Sequence, residues 1–143
     1  MMIIATRQLG DIEIEKTSIY TFEQGLPGFE SLTRFVFIDL GSEWPVRLMQ
    51  AVEEPEVSFF VCDPFRYYPD YEWDMPEELK AELDIKRVED VEVLSVITLS
   101  EELPKSTVNL LAPLVLNRAQ LLGKQHIIHG SGYTHSHPVF QTV

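Results

Sequence analysis

Residues 10–15 read Gly10-Asp11-Ile12-Glu13-Ile14-Glu15, and this stretch sets the fold class. Ile12 and Ile14 fall on one side of an extended chain and Glu13 and Glu15 on the other, the two-residue period of a strand with one wet face. Gly10-Asp11 offers a turn back onto the earlier run at 2–7. Working outward, residues 18–22, 34–39, 46–51 and 57–62 are further short runs rich in Val, Ile, Phe and Tyr, each closed by Gly, Pro, Asp or Glu. Residues 91–99 form a nearly continuous apolar run, which a strand buried on both faces requires. The run at 108–116 is interrupted by Pro113, which predicts a bulge or an edge position. Residues 125–129 read as the last strand, and 130–138 as a loose tail. The sum is a mainly β protein: a small antiparallel β-barrel-like single domain over residues 1–143.

One segment departs from this pattern. Asp74-Met75-Pro76-Glu77 sets a carboxylate at a helix N-cap with Glu three residues on, a capping-box arrangement with Pro in the first turn. Leu79 and Leu83 then share a face, and Glu78, Lys80 and Glu82 lie outside it. This predicts one short helix at about residues 75–84, packed over an end of the barrel.

Charge narrows the function. Asp and Glu number 23 against 11 Lys and Arg, giving a net charge of −12. Such a surface repels phosphate, so direct nucleic-acid binding and docking to an anionic membrane are not expected. The excess is local. Residues 53–102 carry 16 acids and 4 bases, which accounts for all of it, while the other 93 residues carry 7 of each. An acidic docking face for a basic partner fits this distribution. Cys62 is the single cysteine, so no intrachain disulfide can form. No run approaches the roughly 18 apolar residues of a membrane span, and residues 1–7 carry no basic-then-apolar signal. A cytoplasmic location is the expectation.

Within the acidic third, Tyr67-Tyr68-Pro69-Asp70-Tyr71-Glu72-Trp73-Asp74 interleaves aromatic rings with carboxylates. Tyr and Trp bury a large area at small entropic cost, so the stretch is a candidate interface. Tyr67, Asp70, Tyr71, Glu72, Trp73 and Asp74 are the expected contacts, joined by Glu77, Glu78 and Glu82 on the outer helix face.

Catalytic chemistry finds less footing. Gly130-Ser131-Gly132 lacks a nucleophile elbow, and Cys62, after Phe59-Phe60-Val61, reads as a small buried hydrophobe. His126, His129, His135 and His137 raise a metal-dependent hydrolase as the alternative function. A zinc site needs three or four converging ligands, however, and in a strand positions 126 and 129 face opposite ways. They are expected to be surface histidines. No catalytic residue, metal site or cofactor is expected.

Three segments together resemble the FliW family of flagellar assembly factors: Phe22-Glu23-Gln24-Gly25-Leu26-Pro27-Gly28-Phe29-Glu30, then Asp63-Pro64 with Tyr68-Pro69-Asp70-Tyr71-Glu72, then Thr107-Val108-Asn109-Leu110-Leu111-Ala112-Pro113-Leu114-Val115-Leu116-Asn117. Their order and spacing match over essentially the whole chain. In the first, Gly25, Pro27 and Gly28 are explained by turn geometry. In the third, Asn109 and Asn117 are suited to satisfying backbone groups around Pro113. The resemblance implies a small β-barrel-like, non-enzymatic regulator with two alternating partners, cytoplasmic flagellin and the RNA-binding translational repressor CsrA. It implies that capture of CsrA relieves repression of flagellin synthesis, acting from beside the RNA site. It also suggests an apolar groove for the flagellin chain end, at a place the sequence does not reveal.

Overall fold

The computed structural model describes residues 1–41, 43 and 45–140. Its strands follow the alternation. β1 (Met2–Thr6) and β2 (Gly10–Ile14) form an antiparallel hairpin with Ile4 opposite Ile12. The turn differs from the expected Gly10-Asp11: residues 7–9 make the loop, and Gly10 already pairs with Thr6 at φ +70°. Glycine takes that left-handed conformation without Cβ strain. The remaining strands are β3 (Tyr20–Thr21), β4 (Arg34–Asp39), β5 (Val46–Ala51), β6 (Ser58–Cys62), β7 (Val91–Thr98), β8 (Thr107–Val108), β9 (Leu114–Asn117), β10 (Leu122–Gln125) and β11 (His137–Pro138).

Seven of these close on themselves in the order β7-β6-β5-β4-β3-β10-β9, with β9 pairing back to β7 through Val93↔Val115 and Leu94↔Leu114. All pairs are antiparallel except one. β10 meets β3 in parallel at Leu122↔Thr21, so the barrel is not uniformly antiparallel as the sequence suggested. β8 and β11 extend the sheet beyond β7.

Alternation sorts the side chains into two populations. Phe35, Met49, Ala51, Val61, Leu94, Leu114 and Leu116 point inward with Phe22 and Leu26 to fill the barrel. Outside, Val36 and Val52 are covered by Ile4 and Ile14 of the β1–β2 hairpin. β7 serves both populations: Leu94 fills the barrel while Ile97 packs outside with Cys62 and Val108, the two-faced burial its apolar run predicts.

The helix is shorter than its sequence suggests. α1 (Glu77–Glu82) is capped by Pro76, in extended conformation at ψ 147°, and no side chain caps it. The Asp74–Glu77 capping box therefore does not form. Proline disfavours helical φ/ψ in the residue before it, so the helix cannot begin at Met75; the Pro76 carbonyl instead accepts from Leu79 and Lys80. Nor does the helix cover a barrel end. Leu79 and Leu83 pack with Val115, whose neighbours Leu114 and Leu116 face inward, so α1 lies on the outer wall.

The last third departs furthest from expectation. The 108–116 run breaks into β8 and β9, because Asn109 Oδ1 accepts from Leu111 and Ala112 amides (3.0 Å each) and turns the chain before Pro113. Asn117 works similarly: its amide donates to the Leu83 and Asp84 carbonyls, and its oxygen accepts from Ala119 and Gln120. Both asparagines thus satisfy backbone groups, Asn109 beside Pro113 as expected, but Asn117 at Leu83, Asp84, Ala119 and Gln120 and not around Pro113. Residues 126–129 are not a strand. They run beside 111–113 with His126 donating to Pro113 and Ile128 to Leu111, an irregular pairing, since Pro113 has no N–H to return. The presumed loose tail is anchored, with β11 paired to β8.

Candidate functional site

The loop after β6 begins with Asp63, whose Oδ1 accepts from the Phe65 amide at 2.9 Å and opens a 3-10 turn over Pro64–Arg66. Beyond the turn, the aromatic residues meet the C-terminal segment in reverse order. Tyr67 packs against Phe140 (ring centroids 5.8 Å), Tyr68 against His137 (5.6 Å), Tyr71 against Tyr133 (4.8 Å), and Trp73 stacks on His126 (5.3 Å, planes at 27°). The first three are edge-to-face, the geometry aromatic quadrupoles favour. Hydrogen bonds fix the lacing. Tyr68 donates to the Pro138 carbonyl, Tyr71 donates to the Leu110 carbonyl at 2.7 Å, and the Glu72 amide donates to the Tyr133 hydroxyl at 3.0 Å.

Burial pushes the Tyr67, Tyr68 and Tyr71 phenols above their ordinary pKa, so all three stay neutral through the physiological range, and Tyr68 and Tyr71 remain donors. Cys62 beneath them is buried, and desolvation pushes its thiol up to about 12, with Asp63 adding to the effect. It is a packing residue, as its sequence context predicts, and not a nucleophile at neutral pH.

The expected contact residues divide by exposure. Asp70, Glu72, Asp74, Glu77, Glu78 and Glu82 are exposed, while Tyr67 and Trp73 are half-buried. Tyr71 is 4% exposed and belongs to the core beside Val46, Cys62 and Leu110, so it offers little area to a partner; its hydroxyl made it a better core tether than a contact. Glu77 pairs with Lys80 at 3.0 Å and Glu82 with Lys124. Asp70, Glu72, Asp74 and Glu78 have no ion-pair partner among the described residues. Their charge is available to a partner, and exposed pairs such as Glu77–Lys80 are worth little in water.

Three residues that sequence reasoning passed over belong to this surface. Phe65 is 41% exposed beside Tyr71, Tyr133 ties the Glu72 backbone, and His126 lies under Trp73. Tyr133 and His126 come from more than 50 residues downstream, so no local pattern in the loop could point to them.

The four histidines do not assemble. His126 is committed to Trp73, His137 Nε2 accepts from the Thr134 amide at 2.9 Å, and His129 and His135 are exposed. Among the described residues, no group of three or more His, Cys, Asp or Glu is placed to hold a metal ion. The metal-hydrolase alternative therefore loses its ligand set. Among the described residues, no helix is long and apolar enough to cross a membrane.

Comparison with known proteins gives a consistent result. The family model described as FliW protein matches residues 3–139. A flagellar assembly factor FliW of Bacillus subtilis is 39% identical over 138 residues, covering 96% of each chain. One from Caldicellulosiruptor saccharolyticus is 31% identical over 141 residues, covering 99% of this chain and 92% of its own. A crystal structure of the flagellar assembly factor FliW superposes with a TM-score of 0.93 at 37% identity, covering 99% of both chains.

Proposed function

This chain belongs to the FliW family of flagellar assembly factors, and from that premise we propose that it is a non-enzymatic, cytoplasmic regulator of flagellin synthesis that switches between two protein partners. One partner is CsrA, which it antagonises; the other is cytoplasmic flagellin. When flagellin leaves the cell, the freed protein captures the repressor and flagellin translation resumes.

The observation that supports CsrA capture most directly is the placement of charge. The entire net charge of −12 resides in residues 53–102, and there Asp70, Glu72, Asp74 and Glu78 stand exposed, without ion-pair partners among the described residues. A protein that binds RNA must display cationic surface, so this face is complementary to it. Tyr67, Trp73, Glu77 and Glu82 belong to the same acidic stretch of the chain. Complementary charge accelerates encounter and fades with salt.

Isothermal titration with purified CsrA at low and moderate salt tests the reading, followed by repetition after saturation with flagellin. Tight, salt-sensitive binding that flagellin abolishes is expected. Reversal of Asp70, Glu72, Asp74 and Glu78 to Lys should remove CsrA binding in a protein that still folds. A folded reversal variant that binds normally would refute the acidic-face assignment.

A further inference from the structure

Trp73 has two faces with different neighbours. One lies on His126, and the other borders a groove lined by Phe65, Tyr71, Glu72, Trp73, Met75 and Val93. Three aromatic rings, a thioether and a valine make the floor and walls apolar. Glu72 is the only charged residue that lines it. The walls are held in place: Phe65 leans on Tyr71 (5.6 Å, 47°), Tyr71 is tethered to Leu110, and the Glu72 backbone is tied to Tyr133.

We infer that this groove is a socket for an arginine side chain of the basic partner. The inference rests on the acidic-face reading above and names the group that face receives. A guanidinium is planar and weakly hydrated, so it stacks on an indole or phenyl face where a compact ammonium gains less. Its aliphatic stem suits Met75 and Val93, and its charge suits Glu72, which has no ion pair of its own among the described residues.

Charge on the loop itself favours the same occupant, while Lys80, Lys86 and Arg87 line a neighbouring groove beyond Met75. Residues 63–78 carry six acids and one base. That base, Arg66, lies near the Tyr67 phenol and does not line the groove. An acidic or anionic side chain would meet repulsion on entry. A purely apolar one would bury Glu72 without a counter-charge.

Two measurements on the full chain separate this inference from the reading beneath it. In the first, protein carrying 15N-labelled tryptophan is titrated with N-acetyl-arginine amide, N-acetyl-lysine amide and the uncharged citrulline analogue. The Trp73 indole signal, assigned by its absence in Trp73→Phe, should shift with arginine, less with lysine and not with citrulline. Glu72→Gln should weaken the arginine response about tenfold. Equal responses to arginine and citrulline, or none to arginine, would overturn the socket.

In the second, CsrA affinity is compared among wild type, Phe65→Ala, Glu72→Gln and the remote, charge-altering Asp11→Asn/Glu13→Gln double variant. Losses confined to Phe65→Ala and Glu72→Gln support the socket. Wild-type affinity in both, with wild type still binding CsrA, would overturn it and leave the acidic-face reading standing. If wild type failed to bind CsrA, the acidic-face reading would fall, and the arginine titration would decide the socket alone.

Discussion

The barrel wall and the aromatic lacing at its side draw on the same residue types but are held by different means. In the wall, each strand is joined to its neighbour by a backbone ladder, such as Val36↔Gln50 and Leu48↔Phe60. Between residues 63–75 and 126–140 no backbone–backbone hydrogen bond forms among the described residues; rings and two side chain–backbone bonds make the junction. A ladder shares its load among many bonds, so the wall resists local opening where its ladders are long, as along β4, β5 and β6. The lacing can open locally, because few bonds must break. The surface proposed to meet a partner therefore rests on the part of the molecule that is easier to move.

Gly25→Ala should show the wall at its least forgiving. Gly25 sits at φ +63°, its amide donating to Phe22, and a Cβ there would lie 2.6 Å from the Phe29 carbonyl oxygen and 2.7 Å from Glu30 Cα. Strain and clash with backbone together predict a loss of about 3 kcal/mol or more by urea denaturation. Gly28, at φ +86° with open space around its Cβ position, supplies the control: Gly28→Ala should cost only about 1 kcal/mol. Equal losses would mean that the turn tolerates crowding and that the wall is softer than its packing implies.

The next effect belongs where lacing meets core. Tyr71→Phe removes the donor to a buried carbonyl, that of Leu110, and should cost about 1–2 kcal/mol of global stability. Tyr133→Phe removes the acceptor of an exposed amide, that of Glu72, which water can replace. Global stability should fall by about 0.5 kcal/mol or less, while hydrogen exchange at the Glu72 amide speeds up. If Tyr133→Phe lowered the denaturation midpoint as far as Tyr71→Phe, the lacing would be part of the cooperative core, and the contrast between the two regions would collapse.

That contrast also explains what the sequence could reveal. The strands announce themselves as short apolar runs, and Ile12 and Ile14 announce a face by alternation; in the wall, Phe35 beside Val36 and Met49 beside Leu48 are all buried, so the pattern gives the strand but not the face. Turn residues announce themselves too: Gly25 and Gly28 both take positive φ, and Asn109 and Asn117 both bond the backbone as their chemistry suggests. What was hidden depended on partners distant in the chain. The acids of 70–82 are legible as charge, but nothing local shows that Tyr71 turns inward to Leu110, or that Tyr133 and His126 return to meet the loop. Residues 126–129 look like a strand because Ile127 and Ile128 are β-branched; Pro113 opposite them cannot complete a ladder. The helix start was misplaced for a local reason, the restriction Pro76 imposes on Met75.

The smallest effect is the one with a pH signature. Burial lowers the pKa of His126 below the usual histidine value, Lys124 and His129 lower it further, and Glu82 acts in the opposite sense. A histidine whose folded pKa lies below its unfolded pKa binds more protons when unfolded, so stability rises with pH through that interval. Its contribution is complete above the unfolded value, near 6.5, and is lost as pH falls through the folded value. Acidification should therefore loosen the Trp73–His126 stack first, while the wall, whose ladder does not titrate, stays closed. His126→Phe keeps a ring beneath Trp73 and removes the proton. Between pH 7.5 and 5.5, the wild type should show faster amide exchange around residues 72–74 on acidification, and His126→Phe should show a smaller change. An identical response in the two proteins would mean that His126 is not the source of the pH sensitivity.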